Sequence, residues 1–235
     1  ALDAPAAYIP IDISRGHLQA AARAIANAYP HIEVLPICAD YEQRFDLPRP
    51  RHTPSRRVVY FPGSTIGNFH PDDAVVFLRR AAGLAQDGEG SGGLLIGIDL
   101  QKDPQVLVRA YDDAEGVTAE FNLNVLRRLN REFGGTFDLV RFRHVARYNQ
   151  SAHRIEMHLE SLANQTVSVA GARFVLRKGE TIWTESSYKY TVTGFARLAA
   201  RAAFTLRRAW TDRDERFGVL YFEVTPRDGR RLPTD

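Results

Sequence analysis

The sequence predicts an α/β protein, a mostly parallel sheet wrapped by helices with an antiparallel lobe inserted into it. Three observations carry that prediction. Short, continuous apolar runs in the first hundred residues each end at an acidic or small polar residue and alternate with helical patterns, as strands buried on both faces do. After Lys102 two helical stretches give way to apolar residues of period two, the mark of half-buried antiparallel strands. At Val192 the helical period returns and leads into two final strands.

The first strand is read in residues 6–14, Ala-Ala-Tyr-Ile-Pro-Ile-Asp-Ile-Ser, whose Ser14 is placed to cap a helix over 16–29. Residues 32–40 repeat the pattern and end at Asp40, and residues 57–61 form a third strand before the polar loop Pro62-Gly63-Ser64-Thr65-Ile66-Gly67-Asn68. The stretch 71–86 carries Asp72 and Asp73 in its first turn and an apolar face of Val75, Phe77, Leu78, Ala81, Ala82 and Ala85, an amphipathic helix. Residues 94–100 then read as a fully buried strand. Strands ending at Asp12, Asp40, Phe61 and Leu100 are expected to share one mostly parallel sheet, with ligands at their carboxyl ends. Beyond Lys102, helices are expected over 104–111 and from about 117 to 133, the latter closed by Gly134-Gly135. The alternation Ile155-Glu156-Met157-His158-Leu159-Glu160 and turns near Asn164 and Lys178-Gly179 make residues 103–190 the inserted lobe. A helix over 192–203 and strands 206–210 and 217–224, joined by Asp212-Arg213-Asp214-Glu215, complete the chain. Three segments follow: 1–102 and 191–235 as two parts of the core, and 103–190 as the lobe between them.

Composition narrows the class. With 44% hydrophobic and 25% charged residues, 17 Gly and 12 Pro in 235 residues, the chain is an ordinary globular one. Its net charge of +3 comes from scattered arginines instead of a basic stripe, which argues against nucleic acid. No run approaches the ~20 apolar residues that cross a bilayer, so no membrane segment is expected. Cys38 is the only cysteine, which excludes an internal disulfide and a thiolate zinc site and points to the cytoplasm.

Several motifs dissolve on inspection. The glycines of 88–93 lie between a helix and a strand, the wrong order for a phosphate loop. Ser186-Ser187-Tyr188-Lys189 has the Ser-x-x-Lys spacing but none of the partner motifs. His153 and His158, five apart on an alternating strand, face opposite sides and share no metal; no metal site is predicted. Three features hold more promise, each with a plainer alternative. Asp12 and Asp40 can accept ribose hydroxyl protons at strand ends, or serve as turn and cap residues. The 62–68 loop lets a ligand approach its backbone closely, through its two glycines and small hydroxyl residues, or is a tight connection with Asn68 as a helix cap. Glu185, set between aromatics in Trp183-Thr184-Glu185-Ser186-Ser187-Tyr188, can hold an N–H-bearing ring, or pair across the sheet with a lysine or arginine.

The strings Phe61-Pro62-Gly63-Ser64-Thr65-Ile66-Gly67-Asn68-Phe69, Lys102-Asp103-Pro104, Ala110-Tyr111-Asp112-Asp113-Ala114-Glu115-Gly116-Val117-Thr118, Phe121-Asn122-Leu123-Asn124, Arg154-Ile155-Glu156-Met157 and Thr184-Glu185-Ser186-Ser187-Tyr188-Lys189 resemble the histidine-specific methyltransferase family, in order, from about Tyr8 onward. The resemblance implies a Rossmann-like class I methyltransferase sheet with an inserted α+β substrate lobe. It implies transfer of methyl groups from S-adenosyl-L-methionine to the α-amino nitrogen of L-histidine, up to the trimethylated betaine that opens ergothioneine biosynthesis. Carried over by position, Asp12 resembles the ribose-binding acid, and Asp40 with Tyr41 the pair that holds adenine. Asn68 and Tyr111 resemble the residues holding the amino-acid end, with Gly63 and Thr65 in the same loop. Glu185 and Ser187 resemble the pair that reads imidazole, and Met157 a pocket-wall position. The family's opening helical segment, first strand, glycine loop and a substrate-contacting tyrosine have no counterpart, so the sequence reads as the family without roughly its first quarter. A monomer acting on a small molecule is expected; a different amino-acid substrate, or a binding protein without catalysis, are the alternatives.

Overall fold

A computed structural model describes residues 5–86 and 92–225. Of the glycine run at 88–93, residues 88–91 lie outside the described residues. The chain begins with β1 (Ala7–Tyr8) and β2 (Ile11–Asp12), followed by α1 (Arg15–Ala28), β3 (Glu33–Val34) and β4 (Ile37–Cys38). Pro10 and Pro36 lack the N–H a ladder needs, so each expected strand is cut in two. Parallel pairing survives as Ala7↔Glu33 and Tyr8↔Val34, then Ile11↔Ile37 and Asp12↔Cys38. Loop amides bridge the interruptions, Leu35 donating to Tyr8 O at 2.9 Å and Ile37 to Pro10 O at 2.9 Å.

The main sheet is built from β5 (Val58–Phe61), β6 (Gly93–Asp99) and, from the end of the chain, β12 (Phe204–Thr211) and β13 (Phe217–Val224), in the order β12-β13-β6-β5. β6 is its buried centre, with Leu94, Ile96 and Ile98 at 0% exposure. Helix α2 (Pro71–Ala85) lays Ala74, Phe77, Leu78, Ala81, Ala82 and Ala85 into one core with Phe195 and Ala199. Pro71 at its first position and Asp72 and Asp73 in its first turn suit a helix start.

The expectation of one mostly parallel sheet needs correcting. Among the described residues the β1–β4 pairs are not hydrogen-bonded to the main sheet, in which β5 is an edge strand. Within the main sheet only β5 and β6 run parallel, while β13 is antiparallel to both β6 and β12. The short link from Thr211 to Phe217 can join only antiparallel strands, and Asp212 Oδ1 closes it by accepting from the Arg216 and Phe217 amides, both at 2.7 Å.

Between β6 and β12 lie α3 (Pro104–Tyr111), α4 (Val117–Phe133), β7 (Phe142–Asn149), β8 (Arg154–Ser161), β9 (Gln165–Val169), β10 (Ala172–Leu176), β11 (Thr181–Tyr188) and α5 (Val192–Ala200). β11, β8 and β7 form a separate antiparallel sheet, and β9 with β10 a hairpin. One face of the three-stranded sheet is covered by helices: Ala146, Ile155 and Met157 pack on Leu107 of α3, and Phe142 and Leu159 on Leu126 of α4. The lobe returns to the core where Tyr190 bridges Leu100, its amide donating to Asp99 O at 3.0 Å. The carboxyl ends of β6 and β11 therefore lie side by side, and the candidate site is built there.

Candidate functional site

The 62–68 loop leaves β5 through Gly63 at φ +76° and Ser64 at φ +59°, two successive left-handed residues. Such a φ disfavours a residue with a Cβ, and Ser64 is held in it by its Oγ, which accepts from the Asp99 amide at 2.7 Å. Thr65–Asn68 then form one 3₁₀ turn. A Cβ on Gly67 would stand 2.8 Å from the Tyr188 carbonyl oxygen and 3.4 Å from Ser187 Oγ, so glycine is what lets this turn lie against the end of β11. Asn68 is exposed beside that contact, and Thr65 is half-buried. Asn68 does not cap α2; the residue in that position is His70, with extended backbone and no side-chain cap bond.

On β11, Ser187 is 5% exposed and Lys189, just beyond it, 2%. Tyr111, the last residue of α3, donates its hydroxyl to Ser187 Oγ at 2.8 Å. Lys189 Nζ donates to Ser187 Oγ at 2.8 Å and to Tyr111 Oη at 2.9 Å, and pairs with Asp99 Oδ2 at 2.8 Å. Lys102 holds the other oxygen of Asp99 at 2.5 Å. Asp99 thus ties together the 62–68 loop, the start of the lobe and the end of β11. Further along, His144 Nε2 lies 2.7 Å from the Tyr111 carbonyl, which can only accept, so Nε2 carries the proton and Nδ1 accepts from the buried Asn122 amide at 2.9 Å. That chain anchors the backbone from which the Tyr111 ring projects.

Glu185 shares its sheet face with Met157, its cross-strand partner, and with Ser187. Met157 is buried against Leu107, Ala146 and Ile155. Burial raises the Glu185 carboxyl above its ordinary range, against the pull of the Lys189 ammonium. Its carboxylate has no hydrogen bond or ion pair among the described residues, so the cross-strand pair that was the plainer alternative is not formed.

Asp12 and Asp40 close turns: Asp12 Oδ1 accepts from the Ser14 amide at 2.7 Å and Asp40 Oδ1 from Glu42 at 2.8 Å. Each keeps a second oxygen without a partner among the described residues. Tyr41 packs edge-on against Phe61 and Phe77, with ring centres 5.8 and 6.0 Å apart. Its hydroxyl is raised in pKa by burial and then by Glu42, Asp40 and Asp12, and the pairing of Asp12 with Cys38 brings the ends of β2 and β4 together. The structure therefore gathers the predicted residues into two groups, one of Asp12, Asp40 and Tyr41, the other of Asn68, Tyr111, Met157, Glu185 and Ser187. Sequence reasoning missed Lys189 and His144, and left Asp99 inside the strand read over 94–100 with no role. Lys189 stood inside a quoted motif, yet nothing local marks a lysine as buried. Among the described residues no cluster of His, Cys, Asp or Glu is arranged to hold a metal.

A helix-flanked sheet, joined at the carboxyl end of β6 to a second, antiparallel sheet, is the frame in which these two groups sit. The sequence model of the histidine-specific, S-adenosylmethionine-dependent methyltransferases matches residues 1–224, and the chain belongs to that family. It is 42% identical over 214 residues to the histidine N-alpha-methyltransferase of Mycolicibacterium smegmatis, covering 90% of this chain and 65% of that protein. It is 40% identical over 215 residues to the enzyme of the same name from Mycobacterium tuberculosis, with the same 90% and 65% coverage. It is 28% identical over 208 residues to the ergothioneine biosynthesis protein 1 of Neurospora crassa, covering 87% of this chain and 23% of that protein. The chain thus spans 65% of the length of the two mycobacterial relatives.

Proposed function

We propose that this protein transfers methyl groups from S-adenosyl-L-methionine to the α-amino nitrogen of L-histidine, through to the trimethylated betaine, as a step toward ergothioneine. The observation that carries the reading is the half-buried, unpartnered Glu185 carboxylate on one face with Ser187, beside Tyr111. A buried carboxylate without a protein partner favours a ligand that brings an N–H, and the family's specificity supplies imidazole as that ligand.

The free oxygens of Asp12 and Asp40 suit ribose and adenine hydrogen-bond donors, and the Tyr41 ring an adenine face. S-adenosylmethionine supplies the electrophilic methyl group. The protein's own task is to orient the amine along the line of attack with its lone pair free. Asn68 and Tyr111, with Gly63 and Thr65, hold the amino-acid end, while Glu185, Ser187 and Met157 enclose the ring. In this reading residues 1–102 and 191–235 carry the methyl donor and the lobe 103–190 reads the amino acid. The reading includes a monomer, and the single Cys38 suits the reducing cytoplasm. Among the described residues no helix is long and apolar enough to cross a membrane.

Incubating the full-length protein with S-adenosylmethionine and each common amino acid, followed by mass spectrometry, tests the reading. Mono-, di- and trimethylhistidine are expected; transfer to another amino acid and none to histidine would sink it.

A further inference from the structure

The Lys189 side chain is 0% exposed, and its ammonium spends all three N–H bonds, on Asp99 Oδ2, Ser187 Oγ and Tyr111 Oη. An ammonium donates and never accepts, so both hydroxyl oxygens accept a hydrogen bond from it. Of the two hydroxyls the phenol is the more acidic and the better donor, and it passes its own hydrogen to Ser187 at 2.8 Å. Ser187 Oγ accordingly accepts twice, which occupies both lone pairs. Its hydrogen has no acceptor among the described residues. A hydroxyl so surrounded meets a ligand only as a donor.

Glu185, two residues earlier on the same face, is the opposite case, a carboxylate that only accepts when ionised. We infer that Lys189 is a positioning residue that fixes Ser187 as a hydrogen-bond donor, so that Glu185 and Ser187 together select a five-membered ring with one N–H and one bare nitrogen. The inference rests on the histidine reading and adds a polarity to it: the ring is taken as the neutral imidazole tautomer whose N–H meets Glu185 and whose bare nitrogen meets Ser187. Without Lys189, Ser187 is free to turn its hydrogen toward Tyr111, and the ring nitrogen then faces a lone pair.

Two measurements on the full-length protein test this. Thiazol-4-yl- and thiazol-5-yl-L-alanine place a bare nitrogen at either ring position and carry no N–H, and thienyl-L-alanine has the same shape with neither. As competitive ligands of the wild type, the better thiazole is expected to bind about tenfold tighter than the thiophene, the scale of one hydrogen bond. In Ser187→Ala that advantage disappears. Equal binding of thiazoles and thiophene to the wild type overturns the inference. In the second measurement Lys189→Met raises the KM for histidine about tenfold, more than it lowers kcat, and the same replacement in a Ser187→Ala background adds nothing further. A fully additive cost means that Lys189 acts by packing alone and also overturns the inference. If Lys189→Met does not fold, the thiazole comparison decides by itself. A wild type that methylates other amino acids but not histidine defeats the histidine reading instead, and the thiazole comparison still reports the polarity of Ser187.

Discussion

Trp183 and Glu185 stand two residues apart on one strand and face opposite sides of the sheet. Trp183 pairs with His158 and Glu185 with Met157, which are consecutive on β8, because Thr184 is an extra residue in the ladder. The Thr184 hydroxyl donates to the Met157 carbonyl at 2.9 Å, and the Trp183 indole to the Glu185 carbonyl at 2.9 Å, so the bulge has its own hydrogen bonds. On the outer face Trp183 stacks on His158 with ring centres 6.1 Å apart and carries Arg154 at 4.4 Å from its ring centre. On the inner face Glu185 is left with Met157 and Ser187.

Replacing Glu185 by Ala removes the acceptor for a ring N–H and leaves the other candidate residues untouched. The KM for histidine is expected to rise about ten- to hundredfold, with a smaller effect on kcat, and discrimination against tryptophan to shrink. Steady-state kinetics with both amino acids decide it; an unchanged KM and selectivity would remove Glu185 from the pocket.

Asp12→Ala is expected to weaken S-adenosylmethionine binding about ten- to hundredfold, the cost of hydrogen bonds to a charged acceptor. Asp12 also closes a turn on the Ser14 amide, so Asp12→Asn, which keeps an acceptor for that turn, is the comparison that isolates the ligand contact. Calorimetry giving equal affinities for wild type and Asp12→Ala would place the cofactor elsewhere.

Gly67→Ala puts a methyl group 2.8 Å from a backbone oxygen of Tyr188. That oxygen belongs to the backbone and not to a flexible side-chain end, so the turn must back away from β11, at a cost of roughly 1–3 kcal/mol in stability. A lower Tm and a raised KM are expected together, since Asn68 moves with the turn. Gly16→Ala in α1, where a Cβ meets nothing within 4 Å, is the control that leaves both unchanged or gains slightly in Tm. A Gly67→Ala protein as stable and active as the wild type would contradict the close contact.

Asp113 starts α4 by accepting from the Val117 and Thr118 amides, both at 2.8 Å. The Thr118 side chain first, then these amides, lower its pKa to about 2. A depressed carboxyl stabilises the fold above its unfolded pKa and loses that contribution as pH falls through the folded value. The urea midpoint of Asp113→Ala should therefore lie below that of the wild type at pH 5, and the gap should close between about pH 4 and pH 2. A gap independent of pH would show that Asp113 acts without its charge.

Local rules were enough for the broad order of elements and for some of the residues at their ends. Apolar runs of the right length made the strands and Pro71 began a helix. Asp12 at the end of β2 and Asp40 two residues beyond β4 close turns because short acidic side chains bond amides two residues on. Each of these acts over a few residues and is written in the chain itself. Three features required segments far apart to meet. The parallel pair of the first forty residues stands apart from the main sheet, which depends on which strand edges find partners. The bulge at Thr184 reverses the side that Glu185 faces, and period-two reasoning cannot register one extra residue in a ladder. Lys189, an unremarkable lysine by composition, became a buried cation because Asp99, Tyr111 and Ser187 close around it from three elements. A charge can be buried only when opposite charge and hydrogen-bond acceptors surround it, and that surrounding exists nowhere along the chain until it folds.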